Sequence, residues 1–234
     1  YVALSYEALE KDPDIDVFIW PEGALSGTPS SPYNRALLDF VEKHGVEVWT
    51  GGDDSRLNAQ GKYGLYNAAF RVSGDGAVDT PYHKTILLPF GEFMPLADVF
   101  PILNKIEGVG RFTPGDGIHM YQAPAGRFCF LTCYEAIRNE YVRDGVLADA
   151  DLLVNITYDA WFGDTSCPGQ HLMLAALQSA QYGVPLVRAA TTGISAFVDL
   201  RGLITQKSAI FTEDVLVGDV KRLRLPTLYA KWGD

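Results

Sequence analysis

Strand-like and helix-like stretches alternate from one end of this sequence to the other, which predicts a single α/β domain with mixed sheets. Three observations carry that expectation. Short apolar runs are closed by Pro, Gly or a polar residue; longer stretches show an apolar stripe at helical spacing; and no repeat, low-complexity segment or linker divides the chain. The 234 residues suffice for one large domain or two small ones, and 47% hydrophobic against 21% charged residues is an ordinary balance for a chain with a real core.

Taken in order, "YVALSYEAL" opens the chain as a helix, and "DVFIWPE" (Asp16 to Glu22) reads as a buried strand closed by Pro21. "PYNRALLDFVEKHG" reads as a helix with Pro32 near its start, Leu37, Leu38 and Val41 as its apolar stripe, and Gly45 as its stop. "VEVWTGG" is the next strand; "GLYNAAFRVSGDG" is a strand running into a Gly-Asp-Gly turn, and "AVDTPYHK" leads out of it. "FPILNKIEGVG" is a short helix or an irregular loop. A hairpin around Pro124, Ala125 and Gly126 fits "GIHMYQAPAGRFCFLTC", followed by a helix over "EAIRNEYVRDGVL" and a buried strand in "ADLLVNITYDAWFG" that ends in a polar-aromatic loop. "GQHLMLAALQSAQYG" is a helix stopped by Gly183, and "VPLVRAAT" and "ISAFVDLRGLITQ" are strands, the latter turning at Asp199 to Gly202.

A net charge of −10 argues against nucleic acid as a partner, since phosphates require a basic footprint. The start "YVALSYEALEKDPD" lacks the basic-then-apolar order of a signal peptide. No uncharged apolar stretch reaches the roughly 18 residues of a membrane-spanning helix. Three scattered cysteines do not make a disulfide framework.

One stretch concentrates the chemical question. In "GRFCFLTCYEAI" an apolar run ends in Cys133, with Glu135 two residues on, so Cys133 is a core residue, a metal ligand or a nucleophile. The spacings Cys129-x3-Cys133 and Cys167-x3-His171 resemble a zinc pattern. In a strand, however, residues four apart lie about 13 Å from one another, too far for one ion with Zn–S bonds of about 2.3 Å. Cys129 is then plain core. "GISAF" lacks the second glycine of a serine nucleophile elbow, and "GGDDS" lacks the spacing and lysine of a phosphate loop. As a nucleophile, Cys133 needs a base and a polar environment, because only the thiolate attacks. Glu22 at the end of "VFIWPE", Lys84 in "PYHKTILLPFGE" and Glu92 each sit at the edge of a buried-looking element. Read singly, each is as readily a helix cap or a solvated charge.

"WPE", "YHK" followed by "PFGE", and "CYE" resemble the Glu–Lys–Cys signature of the nitrilase (carbon–nitrogen hydrolase) superfamily. From about Trp20 to Asp234 the stretches "YHKTILLPFGEFMPL", "CYEAI", "DAWFGDTSCPGQHLMLAALQSAQYGVPLVRAATTGISAFVD" and "TLYAKWGD" resemble its apolipoprotein N-acyltransferase branch. The resemblance implies an αββα sandwich with two mixed β-sheets. Glu22 would be the general base, Cys133 the nucleophile that carries the acyl chain as a thioester, and Lys84 the oxyanion stabiliser, helped by the N–H of Tyr134. Glu92 would orient the lysine, and Tyr134, Glu135 and Trp161 would surround the pocket. Neither metal nor cofactor is implied. The partners would be a phospholipid acyl donor and a diacylglyceryl-modified apolipoprotein acceptor. The chain would be the periplasmic catalytic domain of a bacterial inner-membrane protein, truncated from its membrane helices and from the branch's usual first strand. Tyr158 stands where that branch usually has Asn, and Cys167 where it has a small residue.

Two rivals keep the same residues. A soluble nitrilase-type amidase would use them to hydrolyse a small amide, and a non-catalytic binding domain would leave Cys133 unreactive. The stretch "FMPLADVFPILNKIEGVGRF" (Phe93 to Phe112) is either a loop packed on the core or an apolar lid that meets lipid.

Overall fold

The computed structural model describes residues 1–57, 61–97, 99–221 and 223–233. Residue 98 of the lid stretch and the final residue of "TLYAKWGD" therefore lie outside the described residues.

Helix α1 (Val2–Lys11) leads to β1 (Val17–Ile19), and α2 (Arg35–His44) to β2 (Glu47–Leu57), β3 (Tyr63–Val72) and β4 (Tyr82–His83). These strands form a four-stranded sheet in that order, with β1 and β2 parallel and the others antiparallel. The second half contributes β5 (Met120–Ala123), β6 (Gly126–Thr132), α3 (Asn139–Leu147), β7 (Leu152–Tyr158), α4 (Cys167–Tyr182), β8 (Leu186–Thr191), β9 (Ala196–Val198), β10 (Ile204–Lys207) and the short α5 (Leu228–Trp232). Its sheet has six strands, ordered β10-β9-β8-β7-β6-β5, with a parallel β6-β7-β8 centre and antiparallel flanks.

Strand parity assembles the layers. On β6, Phe128 and Phe130 join Trp49, Tyr82, Tyr121, Val154 and Ile156 in the core between the sheets. The alternate residues Cys129 and Leu131 face α3 and α4, against Val142, Val146, Leu172 and Ala175. Trp49 of β2 stacks on Phe128 with ring centroids 3.7 Å apart, joining the two sheets directly. On the other outer face, Ala8 of α1 and Leu37, Phe40 and Val41 of α2 cover Phe18, Val48 and Val72. The result is the expected αββα sandwich. Each fully buried large apolar side chain contributes about 1.5–3 kcal/mol. Among the described residues no helix is long and apolar enough to cross a membrane.

The structure departs from the sequence reading at three boundaries. Only Val17–Ile19 of the first apolar run pairs as a strand, because Pro21 has no N–H to continue the ladder. The helix expected over 135–147 is two pieces: a 3-10 turn, Cys133–Ile137, and α3, separated by Arg138 in an extended conformation. The strand expected over 46–52 runs on to Leu57, where β2 and β3 form a hairpin arm whose far end is exposed.

Gly51 shows how tightly the first sheet holds the loop after β1. A Cβ there would lie 2.6 Å from Glu22 Cα and 2.9 Å from the Pro21 carbonyl oxygen, both backbone atoms that cannot swing away. Gly51→Ala should therefore lower stability by about 1–3 kcal/mol, read as a lowered denaturation midpoint. An unchanged midpoint would show that the Pro21–Glu22 loop is not held by this contact.

Candidate active site

Strand β6 ends at Thr132, and the next residue, Cys133, has φ 51°, a left-handed conformation that a side chain with a Cβ rarely adopts. The chain holds that elbow with Glu135. Its Oε2 accepts the Thr132 N–H at 2.8 Å, and its Oε1 accepts the N–H groups of Thr85 and Ile86 at 2.7 and 2.9 Å. One carboxylate thus ties the cysteine turn to the segment that follows Lys84. Glu135 is fully buried, and burial raises its carboxyl to about 7 although the Ile86 and Thr132 N–H groups and the Tyr82 hydroxyl oppose the shift.

The first sheet brings the charges. Lys84, directly after β4, is 2% exposed, so the reading of a solvated surface lysine does not hold. Its N–H donates to the carbonyl of Asn67 on β3 at 2.9 Å. Its ammonium lies 2.7 Å from Glu92 Oε2 and 3.6 Å from Glu22 Oε1. Asn67 Nδ2 donates to both carboxylates, at 2.6 Å to Glu22 Oε1 and 2.8 Å to Glu92 Oε1. Glu22 Oε2 accepts the Tyr158 N–H from the second sheet at 2.7 Å, and Glu92 Oε2 the Leu88 N–H at 2.8 Å.

Burial pushes the Glu22 carboxyl above the ordinary carboxylate value, and neighbouring Glu92 adds to the shift, against Lys84, Asn67 and the Tyr158 N–H. Burial alone would pull Lys84 down, yet Glu22, Cys133 and Glu92 together carry it above the ordinary lysine value. The Cys133 thiol is pushed up to about 11 by burial and by Glu22, with Lys84 and Thr157 acting in the opposite direction. The resting sulfur is therefore a thiol near a carboxylate whose proton affinity burial raises, an arrangement suited to passing one proton between them.

Behind the elbow lies a second buried polar group, of which the sequence reading had weighed only His171, as a metal ligand. Asp159 accepts from Thr157 Oγ1 at 2.8 Å and from Arg188 Nη2 at 2.6 Å; its Oδ1 is 3.2 Å from His171 Nδ1. The other ring nitrogen, Nε2, faces the Cys133 carbonyl at 3.3 Å. Arg188 also bonds the Asn155 side chain, which in turn donates to the Leu131 carbonyl at 2.7 Å. For Asn67, Asn155 and Arg188 the sequence signal is a polar residue inside an otherwise apolar strand; Asp159, in the 3-10 turn after β7, and His171, in α4, carry no such signal.

The remaining expected residues are more peripheral. Trp161 is 71% exposed and meets the Tyr158 ring edge-on at 6.4 Å. Tyr134 is half-buried and takes an Arg138 guanidinium bond on its hydroxyl at 3.2 Å. Cys129 is buried in the core, and Cys167 is exposed at the start of α4. The stretch after Glu92 holds a 3-10 turn at Pro101–Lys105 and exposes Leu96, Val99, Phe100, Ile102 and Ile106. Phe93, Met94, Leu103 and Phe112 instead line a groove of about 610 Å³ together with Thr85 and Ile86. Glu22, Lys84 and Cys133 do not line this groove.

Residues 2–227 match the carbon-nitrogen hydrolase family. The whole chain is 35% identical over 236 residues to an apolipoprotein N-acyltransferase of Geobacter metallireducens, covering 45% of that relative. It is 32% identical over 249 residues to one of Bdellovibrio bacteriovorus, again covering 45% of the relative. The chain thus spans less than half the length of the curated relatives it matches. Two solved structures share its fold: a Saccharomyces cerevisiae member of branch 10 of the nitrilase superfamily and a carbon-nitrogen hydrolase of Helicobacter pylori. Their TM-scores are 0.68 and 0.69 at 17% and 18% identity; each match covers 91% of this chain, and 79% and 80% of the respective structures. With its sandwich of two mixed sheets and its match over residues 2–227, the chain belongs to the carbon-nitrogen hydrolase family.

Proposed function

We propose that this chain is the catalytic domain of an N-acyltransferase that moves an acyl chain from a phospholipid to the α-amino group of a diacylglyceryl-cysteine at the start of an apolipoprotein. The observation that carries the reading is the buried pair of Glu22 and Lys84 coupled to the elbow cysteine, with the half-buried Glu92 holding the lysine. The similarity of the whole of this chain to part of named apolipoprotein N-acyltransferases supports the choice of substrates.

In the proposed reaction the Glu22 carboxylate takes the Cys133 thiol proton, and the thiolate attacks the ester carbonyl of the phospholipid. The tetrahedral oxyanion meets the Lys84 ammonium and the N–H of Tyr134. Collapse releases the glycerol oxygen, which leaves with the proton held by Glu22, and the acyl chain stays on Cys133 as a thioester. The α-amine of the acceptor then attacks the thioester and passes its proton to Glu22. The thiolate departs, recovers that proton, and the product is an amide. Such a two-step scheme gives ping-pong kinetics. A well-placed base supplies a factor of about 10²–10⁴ and each oxyanion donor about 10²–10³. Glu92 and Asn67 hold the lysine and the base in register, and Glu135 holds the elbow. Placement on the periplasmic face of a bacterial inner membrane belongs to the same proposal. So does the assignment of this chain as one domain of a longer membrane protein.

Transfer from phosphatidylethanolamine to a diacylglyceryl lipopeptide tests the reading. Glu22→Gln should lower the rate by about 10²–10⁴. Because Glu22 acts as its carboxylate and its pKa is raised, the rate of the parent protein should rise with pH above the range of a free carboxylate. Glu22→Gln should lose that limb and keep only a slow rise with thiol ionisation, displaced below the parent thiol's value of about 11 because the Glu22 charge that helps push it up is gone. Ammonia release from small amides without acyl transfer would instead identify an amidase.

The exposed apolar side chains after Glu92 form the lipid-facing part of the proposal. Charging Phe100 and Ile102, both exposed, as Phe100→Asp and Ile102→Asp, should weaken binding to phosphatidylethanolamine vesicles while leaving the melting temperature unchanged. Leu103 lines the groove and is a poorer choice for this test. Vesicle binding equal to the parent's would overturn the lid.

A further inference from the structure

The Tyr134 N–H sits on a strained elbow, and its direction decides whether it meets the oxyanion. We propose that His171 is the positioning residue for that N–H: by donating to the Cys133 carbonyl, its ring sets the plane of the Cys133–Tyr134 peptide and so aims the Tyr134 N–H at the developing oxyanion. The inference rests on the reading of Cys133 as a nucleophile that attacks an acyl carbonyl.

Peptide geometry links the two groups. The Cys133 carbonyl and the Tyr134 N–H belong to one planar trans unit, in which C=O and N–H point in opposite directions. Tyr134 is the second residue of the 3-10 turn Cys133–Ile137, so its N–H has no acceptor within that turn. The unit hangs from Cys133, whose φ of 51° persists only if its surroundings hold it. Glu135 holds the chain before the cysteine through the Thr132 N–H. After the cysteine, the carbonyl has one lone pair for the turn's own bond, which in 3-10 geometry is poorly aligned. His171 Nε2 stands 3.3 Å from the same oxygen and serves the other lone pair. A carbonyl only accepts, so Nε2 bears the proton and donates. That bond also polarises the amide, which makes its N–H the stronger donor.

The ring is held in this pose. His171 lies on α4 and is buried, with its Nδ1 3.1 Å from Arg188 Nη2 and 3.2 Å from Asp159 Oδ1. With the proton on Nε2, Nδ1 of the neutral ring accepts from Arg188. The same Nη2 donates to Asp159 Oδ2 at 2.6 Å, and Asp159 Oδ1 keeps the Thr157 hydroxyl proton at 2.8 Å, so both carboxylate oxygens are paired. Arg188 is fixed in turn by the Asn155 side chain and by the Ile194 carbonyl at 3.2 Å. Phe162 meets the imidazole edge-on at 5.9 Å. Gly193 closes the group from the β8–β9 loop: a Cβ there would stand 2.7 Å from Asp159 Cβ, so only glycine lets the loop lie this close.

The test separates the oxyanion from the sulfur. An activated ester, p-nitrophenyl butyrate, acylates Cys133 through a tetrahedral oxyanion: the thiolate adds to the carbonyl, the ester C–O bond breaks and p-nitrophenolate leaves. Iodoacetamide alkylates the same sulfur by displacing iodide, with no oxyanion. Both rates are measured on the full chain at one pH, in a Cys167→Ser background because Cys167 is exposed. Their ratio cancels thiol ionisation and access to the sulfur. His171→Leu should lower the ratio of acylation to alkylation about tenfold. That is less than the roughly 10²–10³ of deleting an oxyanion donor, because the N–H is misdirected rather than removed and Lys84 remains. His171→Gln, whose amide N–H reaches about as far as Nε2, should recover most of the loss. An unchanged ratio in His171→Leu overturns the proposal even where both rates fall, since a merely structural role gives that result. A His171→Gln protein as impaired as His171→Leu overturns it too. Should His171→Leu fail to fold, His171→Asn, an amide one methylene too short, against His171→Gln makes the same comparison. A parent protein that iodoacetamide alkylates and the ester never acylates lacks the oxyanion site, and the proposal falls with it. Ester acylation with the expected His171 dependence, but none from phosphatidylethanolamine, would sink the acyltransferase reading and leave the His171 assignment standing.

Discussion

A buried ammonium organises this molecule. Lys84 has almost no contact with solvent, and taking such a charge out of water costs several kcal/mol unless partners replace the lost hydration. Glu92 and Glu22 are those partners, and Asn67 bridges them. Each comes from a different segment of the first half: the loop after β1, strand β3, the residue after β4 and the turn at 88–92. The ion cluster can form only when that sheet has folded with its correct register. The second sheet then adds the Tyr158 N–H to Glu22 and brings the elbow with Cys133. The inter-sheet core, with Trp49 against Phe128, sets the distance between the two contributions.

Glu135 illustrates how such a site is kept from relaxing. It points away from any solvent path and takes backbone N–H groups from both halves of the site. Removing it would leave those donors buried and unpaired and free the strained cysteine turn to open. In the proposed reaction its contribution is thus geometric, fixing the elbow against the segment that carries Lys84.

Much of the fold was legible in the sequence because side-chain parity and stop signals are local. Phe128, Cys129, Phe130 and Leu131 alternate between two layers as a buried strand must, and Gly45 ends α2 in a left-handed conformation. The break at Arg138 was not legible, because the 3-10 turn before it starts at an elbow, with positive φ at Cys133 and the Thr132 N–H donated to the Glu135 carboxylate, that no periodicity reports. The resemblance drew attention to Glu22, Lys84, Glu92 and Cys133; in the structure the three charged residues form one ion cluster, and its two buried members, Glu22 and Lys84, are coupled to the cysteine. Composition and spacing alone left Lys84 as readily a surface charge. Asn67, Asp159 and Arg188 went unnoticed because their partners lie far along the chain, and only the parallel pairing of β7 and β8 brings Arg188 beside Asn155. Tyr158, the departure from the branch pattern, proves mild at the base: the bond to Glu22 comes from its backbone N–H, while its side chain pairs with Trp161 at the surface.

The central claim is that Cys133 carries an acyl chain as a thioester. Intact-protein mass spectrometry after incubation with phosphatidylethanolamine in detergent, beside Cys133→Ala, tests it most directly. The account predicts an acyl adduct that hydroxylamine releases and that Cys133→Ala does not form. An unmodified Cys133 under conditions where a small thiol electrophile still labels it would contradict the account.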